Sequence, residues 1–226
     1  MSYKYSTGSI RRGDIYYEDD REGAKTYIDF EQDTITLRPS GSQILHATAT
    51  AIGVGTIVPD GTLHIHSDSI QGGTVIISQA DNSGDASQLD LSKSRGTGET
   101  PFVIGSSDFI GQVRFLAYDG DSHDNFADMY VQATAQASTT SHPCKIVMRT
   151  TRQGSSSPTT AITIDDQQNL IAEGNLEAKD QITIRDQNPP SSASDNGMRG
   201  EIRYDTNYIY VCVADNTWKR VALSSW

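Results

Sequence analysis

Six groups of side chains have the types and spacing to carry chemistry. In Thr62-Leu63-His64-Ile65-His66 the two histidines are two residues apart, so on a strand both imidazoles share one face. Three copies meeting on an axis would present six imidazoles, an octahedral set for iron or another transition metal. The opposite arrangement puts Leu63 and Ile65 inward and leaves both histidines in water, the ordinary outcome of a strand with one apolar face. Asp119-Gly120-Asp121-x-x-Asp124 gathers carboxylates in one loop but lacks the spacing and closing glutamate of a calcium loop, which makes it a solvated turn. Asp165-Asp166 offers two carboxylates, yet adjacent residues of a strand point to opposite faces and cannot both address one glycosidic bond. Cys144 follows His142-Pro143, but a thiol nucleophile needs a base within reach and a third group to orient it, and neither follows from adjacency. Tyr208, Tyr210 and Trp218 read two ways. They form either a stacking face for carbohydrate or the small core of a terminal module, with Trp218 beneath a hairpin turned at Ala214-Asp215-Asn216. Arg11 and Arg12 with Tyr16 and Tyr17 form either a docking patch for an acidic or aromatic partner or a solvated arm. No GxGxxG opens a helix and no GxxxxGK[ST] occurs, so nucleotide binding has no support. No catalytic residue is predicted.

The elements that must hold these residues read as β-strands. Alternation of apolar and polar residues runs through Thr34–Leu37, Thr62–His66, Thr160–Ile164 and Gln181–Ile184, bounded by turn pairs such as Asp60-Gly61, Gly72-Gly73 and Glu173-Gly174. No long helical stripe appears; a single helical turn is expected around Glu18 to Ala24. The 226 residues are only 35% hydrophobic, and mean hydropathy is −0.48, so a large one-piece core is not expected. Strands with two or three inward residues each cannot offset their ordering entropy alone, whereas identical copies around an axis can share a core. Cys212 sits in the apolar run Tyr210–Ala214 and reads as core; two cysteines make no disulfide framework.

The formal net charge of −11 argues against a nucleic-acid binder and against attachment to an anionic membrane. No apolar stretch approaches the length of a membrane span, and the opening MSYKYSTGSIRRGD has no apolar signal core. Synthesis in a cytoplasm with free thiols is expected. Along the chain, residues 1–40 are aromatic and charged. Residues 41–74 are a Gly/Thr-rich slender tract, 75–164 a wider β-domain, 165–187 a second slender tract, and 188–226 a compact aromatic module after a Pro/Ser-rich turn cluster.

Four tracts, in order, resemble bacteriophage tail fibres. TAIGVGTIVPDGTLHIHSDS is similar to a fibre stalk motif. Ser94-Arg95-Gly96-Thr97, then Ile110 to Gly120 and Ala127 to Ala133, are similar to a β-domain common in those fibres. KIVMRTTRQGSSSPTTAITIDDQQNLI resembles a further fibre pattern, and EIRYDTNYIYVCVADNTWKRVALSSW looks like a recurring terminal module. The resemblance implies an elongated, intertwined homotrimeric β-fibre: a structural virion protein, not an enzyme, that contributes to host attachment. It implies that residues 1–40 join another virion protein, for which the docking-patch reading of Arg11, Arg12, Tyr16 and Tyr17 would supply the contact, and that a cell-surface receptor or polysaccharide is the outer partner. The alternatives are a capsid-attached head fibre or decoration protein, and a carbohydrate-binding or carbohydrate-degrading spike.

Overall fold

The structure, a computed structural model, describes residues 15–16, 26–69, 72–185 and 187–225, with the side chains of Tyr16 and Gly41 left aside. The expected turn at 18–24, and Arg11, Arg12 and Tyr17, lie outside these residues. Among the described residues every regular element but one short 3-10 turn is a strand. The chain divides into two compact units, one ending at Asp90 and one of Leu91–Trp226.

The first unit is a single sheet of six strands in chain order: β1 (Ile15–Tyr16), β2 (Tyr27–Glu31), β3 (Thr34–Arg38), β4 (Leu45–Thr48), β5 (Ile52–Val54) and β6 (Leu63–Ile65). The pairings are antiparallel except β5 with β6, which run parallel. Alternation sorts the sheet into two faces. Register aligns Ile28, Leu37, Leu45, Val54 and Ile65 in one row, and Phe30, Ile35, Ala47, Ile52 and Leu63 in the next row of that face. The other face carries Asp29, Thr36, His46, Gly53 and His64 in register, with Thr36 buried and hydrogen-bonded through its hydroxyl to His46 Nδ1 at 2.9 Å. The connection from β5 to β6 needs a left-handed residue, and Gly55 supplies it at φ 75°; a Cβ there would run into the carbonyl of His66.

The second unit holds three pieces. A ribbon pairs β7 (Arg95–Gly96) with β8 (Pro101–Phe102). A five-stranded antiparallel meander follows: β9 (Phe109–Tyr118), β10 (His123–Ala133), β11 (Cys144–Thr150), β12 (Thr159–Ile164) and β13 (Leu170–Ala172). A three-stranded sheet closes the chain: β14 (Ile202–Tyr204), β15 (Tyr208–Ala214) and β16 (Thr217–Ala222). The expected strand at Gln181–Ile184 does not pair. Ile182 and Ile184 stay exposed, because no strand of this chain among the described residues lies beside them.

Few apolar side chains are buried. Among the described residues these are Ala133, Val147, Tyr210, Cys212 and Trp218. One chain exposes 18976 Å², against the roughly 10,000 Å² of a folded monomer of this mass. Phe115 is 60% exposed, and Leu63, Leu170 and Val221 are comparably bare.

Candidate functional site

The histidine pair stands on β6 and just after it. Leu63 and Ile65 belong to the apolar face of the six-stranded sheet, and His64 to the polar face beside Gly53 and His46. The His64 and His66 rings lie edge to face with centroids 6.0 Å apart. His64 Nδ1 accepts the Asp60 N–H at 3.1 Å, and His66 Nε2 meets Asp68 Oδ1 at 3.1 Å. Among the described residues no three or more of His, Cys, Asp and Glu gather in metal-binding reach.

The acidic positions serve turns. Asp119 Oδ1 accepts the N–H groups of Asp121 and Ser122, which hold its carboxyl below the usual carboxylate range. Asp165 caps the β12–β13 turn by accepting the N–H of Gln167 and of Asn169 and the Asn169 side-chain amide, whose bond is the largest cause of its lowered pKa. Asp166 instead accepts from Thr134 Oγ1 at 2.6 Å, so the adjacent pair is split between two sites. Cys144 begins β11 half-buried, and no hydrogen bond joins it to His142 among the described residues.

The β9–β10 turn and the β11–β12 loop meet at one end of the meander and enclose a cavity of about 190 Å³. Asp119, Asp124, Asn125, Ser155 and Ser156 line it beside Phe126.

In the C-terminal sheet the aromatic trio is packed inward. Tyr210, Cys212 and Trp218 form its core, with Tyr208 packed against them. The Trp218 indole N–H donates to the Asp195 carbonyl at 3.0 Å, and Tyr210 Oη donates to Asp205 Oδ2 at 2.7 Å. Arg203 lies 4.6 Å from the Trp218 ring and Arg220 4.1 Å from the Tyr208 ring. The hairpin turns at Asp215-Asn216, where Asn216 adopts φ 56°. Gly197 lies against the indole, and a Cβ at that position would overlap the ring. The ring faces of Tyr210 and Trp218 are therefore spent on packing.

Two electrostatic constellations lie outside the candidate site residues that the sequence singles out. Asp128 on β10 is buried, and its carboxylate accepts two bonds from Arg149, from Nε at 2.8 Å and from a terminal guanidinium nitrogen at 2.5 Å. Asn125 and Gln112 donate to the same carboxylate at 2.7 and 3.1 Å. Arg149, first among the causes, holds the Asp128 carboxyl below its usual range. The guanidinium also covers the Tyr130 ring at 5.2 Å, and Tyr130 packs on Phe109. A second fork ties the ribbon to the meander: Arg95 donates to both oxygens of Asp108, at 2.7 and 2.9 Å. This pairing, with the Gly105 N–H, pulls the Asp108 pKa down to about 2. The sequence signal for the first network is a charge at Asp128, between Ala127 and Met129, and another at Arg149, after Met148, each on a strand.

No family model matches the chain. Two curated proteins match over a short stretch each. The chain is 58% identical over 38 residues to "Depolymerase 1, capsule K30/K69-specific" of Klebsiella phage K5-2, and 46% identical over 37 residues to "Depolymerase, capsule K30/K69-specific" of Klebsiella phage K64-1. These cover 17% and 16% of this chain, and the chain spans only 5% of either relative's length. Among solved structures, the carboxy-terminal domain of the bacteriophage T5 L-shaped tail fibre matches at a TM-score of 0.55 and 14% identity, over 75% of this chain and 83% of that one. The same domain with its intramolecular chaperone domain matches at 0.56 and 14%, over 80% of this chain and 60% of that one. The chain therefore has the all-β fold of a phage tail-fibre domain, and the resemblance read from the sequence holds at the level of fold.

Proposed function

We propose that the chain is a structural subunit of a bacteriophage tail fibre, carried on the virion as a homotrimer of intertwined β-chains that contributes to host-cell attachment. The observation that carries the reading is the combination of that tail-fibre fold with sheets whose apolar faces a single chain leaves bare. Attachment would work by avidity: three identical weak contacts act together through their effective concentration. On this reading residues 1–40 join another virion protein. Residues 41–74 and 165–187 are the slender tracts, 75–164 the wider domain and 188–226 the terminal module. If the apolar face of the six-stranded sheet turns toward the axis, His64 and His66 stand outside, and six imidazoles do not converge on a metal.

The short matches to capsule depolymerases favour a second reading, a carbohydrate-degrading spike. The arrangement of carboxylates argues against it, because Asp165 and Asp166 diverge and Asp119 is engaged by its own turn. The native mass of the purified chain tests the first reading: light scattering should give about three times 24.6 kDa. Excess trimer should also slow phage adsorption to its host. Shortening of capsule polysaccharide on incubation with the protein would replace the fibre reading with the spike. Antibody labelling of particles at the head in place of the tail would make it a head fibre or decoration protein.

A further inference from the structure

We infer that the chain carries a self-modification site at Asp60-Gly61, where the backbone rearranges to an isoaspartyl linkage, and that the fold closes the two other places where the sequence invites the same chemistry. Asp or Asn followed by glycine is the setting for a five-membered succinimide ring, because the glycine amide has no Cβ beside it to hinder its approach to the side-chain carbonyl carbon. The chain holds three such pairs: Asp60-Gly61, Asp119-Gly120 and Asn196-Gly197. In an unstructured chain at neutral pH the Asn-Gly pair reacts first, since a carboxylate must take up a proton before it can lose water. The fold reverses that order. Asn196 is exposed, but its pair is closed at the nucleophile. The Gly197 N–H donates to Asn216 Oδ1 at 3.1 Å, and the Gly197 carbonyl accepts the Asn216 N–H at 2.9 Å. Gly197 also lies against the Trp218 indole, so its amide is held away from the Asn196 side chain. Asp119-Gly120 is closed at the electrophile. The N–H groups of Ser122 and Asp121 bind Asp119 Oδ1 and hold its carboxyl below the usual range, so the neutral acid that must lose water is scarce. Asn82-Ser83 and Asp68-Ser69, pairs of lower reactivity, are closed at the nucleophile as well: the Ser83 N–H donates to Asp81 Oδ1 at 2.7 Å and the Ser69 N–H to Ser67 Oγ at 3.2 Å.

At Asp60-Gly61 neither partner is held. The Asp60 side chain is 87% exposed, and its carboxylate accepts no hydrogen bond among the described residues; His64 Nδ1 stands 3.8 Å from Oδ2. The Gly61 N–H has no acceptor among the described residues. A Cβ at Gly61 would meet nothing nearer than the Leu63 carbonyl oxygen at 3.9 Å. His64 Nδ1 accepts the Asp60 N–H at 3.1 Å, which anchors the N-terminal side of Asp60 and leaves the following peptide free to turn. The reaction balances with water alone. The Gly61 nitrogen attacks Asp60 Cγ; the N–Cγ bond forms, the Cγ–OH bond breaks, and the hydroxyl leaves with the amide proton as water. Water then adds to the main-chain carbonyl carbon of the ring and breaks its bond to nitrogen. The chain now continues through Cγ, and the former main-chain carboxyl becomes the side group. The product has an unchanged mass and an extra methylene in the connection from β5 to β6, inside the turn that the Asp60–His64 bond closes.

The full chain is aged by prolonged incubation in neutral buffer, once folded and once in urea. Its peptides are then mapped by electron-transfer mass spectrometry, which separates isoaspartate from aspartate residue by residue, and methyl transfer by an isoaspartyl methyltransferase follows the total. The folded chain should accumulate isoaspartate at residue 60 while Asn196 keeps its amide. In urea the order should reverse, with deamidation at Asn196 first. Gly61→Ala should lose the isoaspartate at residue 60 in the folded chain. The open space at Gly61 and its φ outside the left-handed region accommodate the methyl group, and circular dichroism checks that the sheet signal is kept. Deamidation of Asn196 ahead of any change at Asp60 in the folded chain overturns the inference. So does isoaspartate at residue 60 that forms only in urea, or that persists in a folded Gly61→Ala chain. The comparison of folded and denatured wild type needs no variant, so it decides the matter if Gly61→Ala does not fold.

Discussion

Replacing Arg149 with alanine should destabilise each chain by about 4 kcal/mol. The Asp128 side chain is 0% exposed and accepts four hydrogen bonds, two of them from Arg149. Deleting one partner of such a pair strands a buried charge, which costs roughly 3–5 kcal/mol. Loss of the guanidinium from the Tyr130 ring adds about 0.5–1 kcal/mol. The sign with pH follows from the direction of the Asp128 shift. Its folded pKa is depressed, so in the native chain this carboxylate contributes stability that is present above its unfolded pKa and is lost as pH falls through the folded pKa. In the variant the bare carboxylate favours its protonated form. The deficit should therefore be largest at neutral pH and shrink on acidification toward pH ~4. Arg149→Lys keeps a charge but loses the two-pronged geometry and should fall between. Removing both charges together, as Asp128→Leu with Arg149→Leu, should cost less than Arg149→Ala alone. The assay is urea unfolding followed by the sheet signal at fixed protein concentration, repeated at two pH values. A deficit below ~1 kcal/mol at neutral pH, or one that does not change with pH, would refute the account of Asp128 as a buried anion held by Arg149.

Arg95→Ala should raise the Asp108 pKa from about 2 toward the ordinary carboxylate value, read by carboxyl-carbon NMR titration. The native fork contributes stability that is fully present above the unfolded pKa and is lost progressively as pH falls from there through the folded value of about 2; an unchanged midpoint in the variant would show that the fork does not form. Gly197→Val should displace Trp218 from the C-terminal core, with a red-shifted indole emission and a melted terminal module; unaltered emission would mean that the 191–197 loop does not lie on the ring. His64→Ala with His66→Ala should leave the native mass unchanged. A fall in mass accompanied by loss of bound iron would return both histidines to the axis.

Much of the architecture was legible because strand alternation is a local property. Leu63 and Ile65 on one face, with His64 on the other, follow from a repeat of two residues with no reference to the rest of the chain. The hairpin at Asp215-Asn216 and the inward Cys212 are equally local, set by a turn pair and an apolar run. Gln181–Ile184 shows the limit of the same reasoning. The alternation is there, but a strand also needs a neighbour to take its hydrogen bonds, and no pattern within four residues says whether one will come. Asp128 shows the limit at the site. Its charge was visible, yet Arg149 lies 21 residues away in the sequence. Their meeting depends on the length of the connection from β10 to β11, and the bulge between Asn125 and Ala127 brings Asn125 onto the same carboxylate.

The sequence by itself determined that this is an all-β chain with thin, two-faced sheets and too little apolar content for a large one-piece core, because composition and a two-residue period are read residue by residue. Only the tertiary structure decided which polar residues converge and which apolar rows become one surface. Register sums turn lengths, bulges and pairings over the whole sheet, and a slip of one residue would move Asp128 and Arg149 to the face that Met129 and Met148 now occupy.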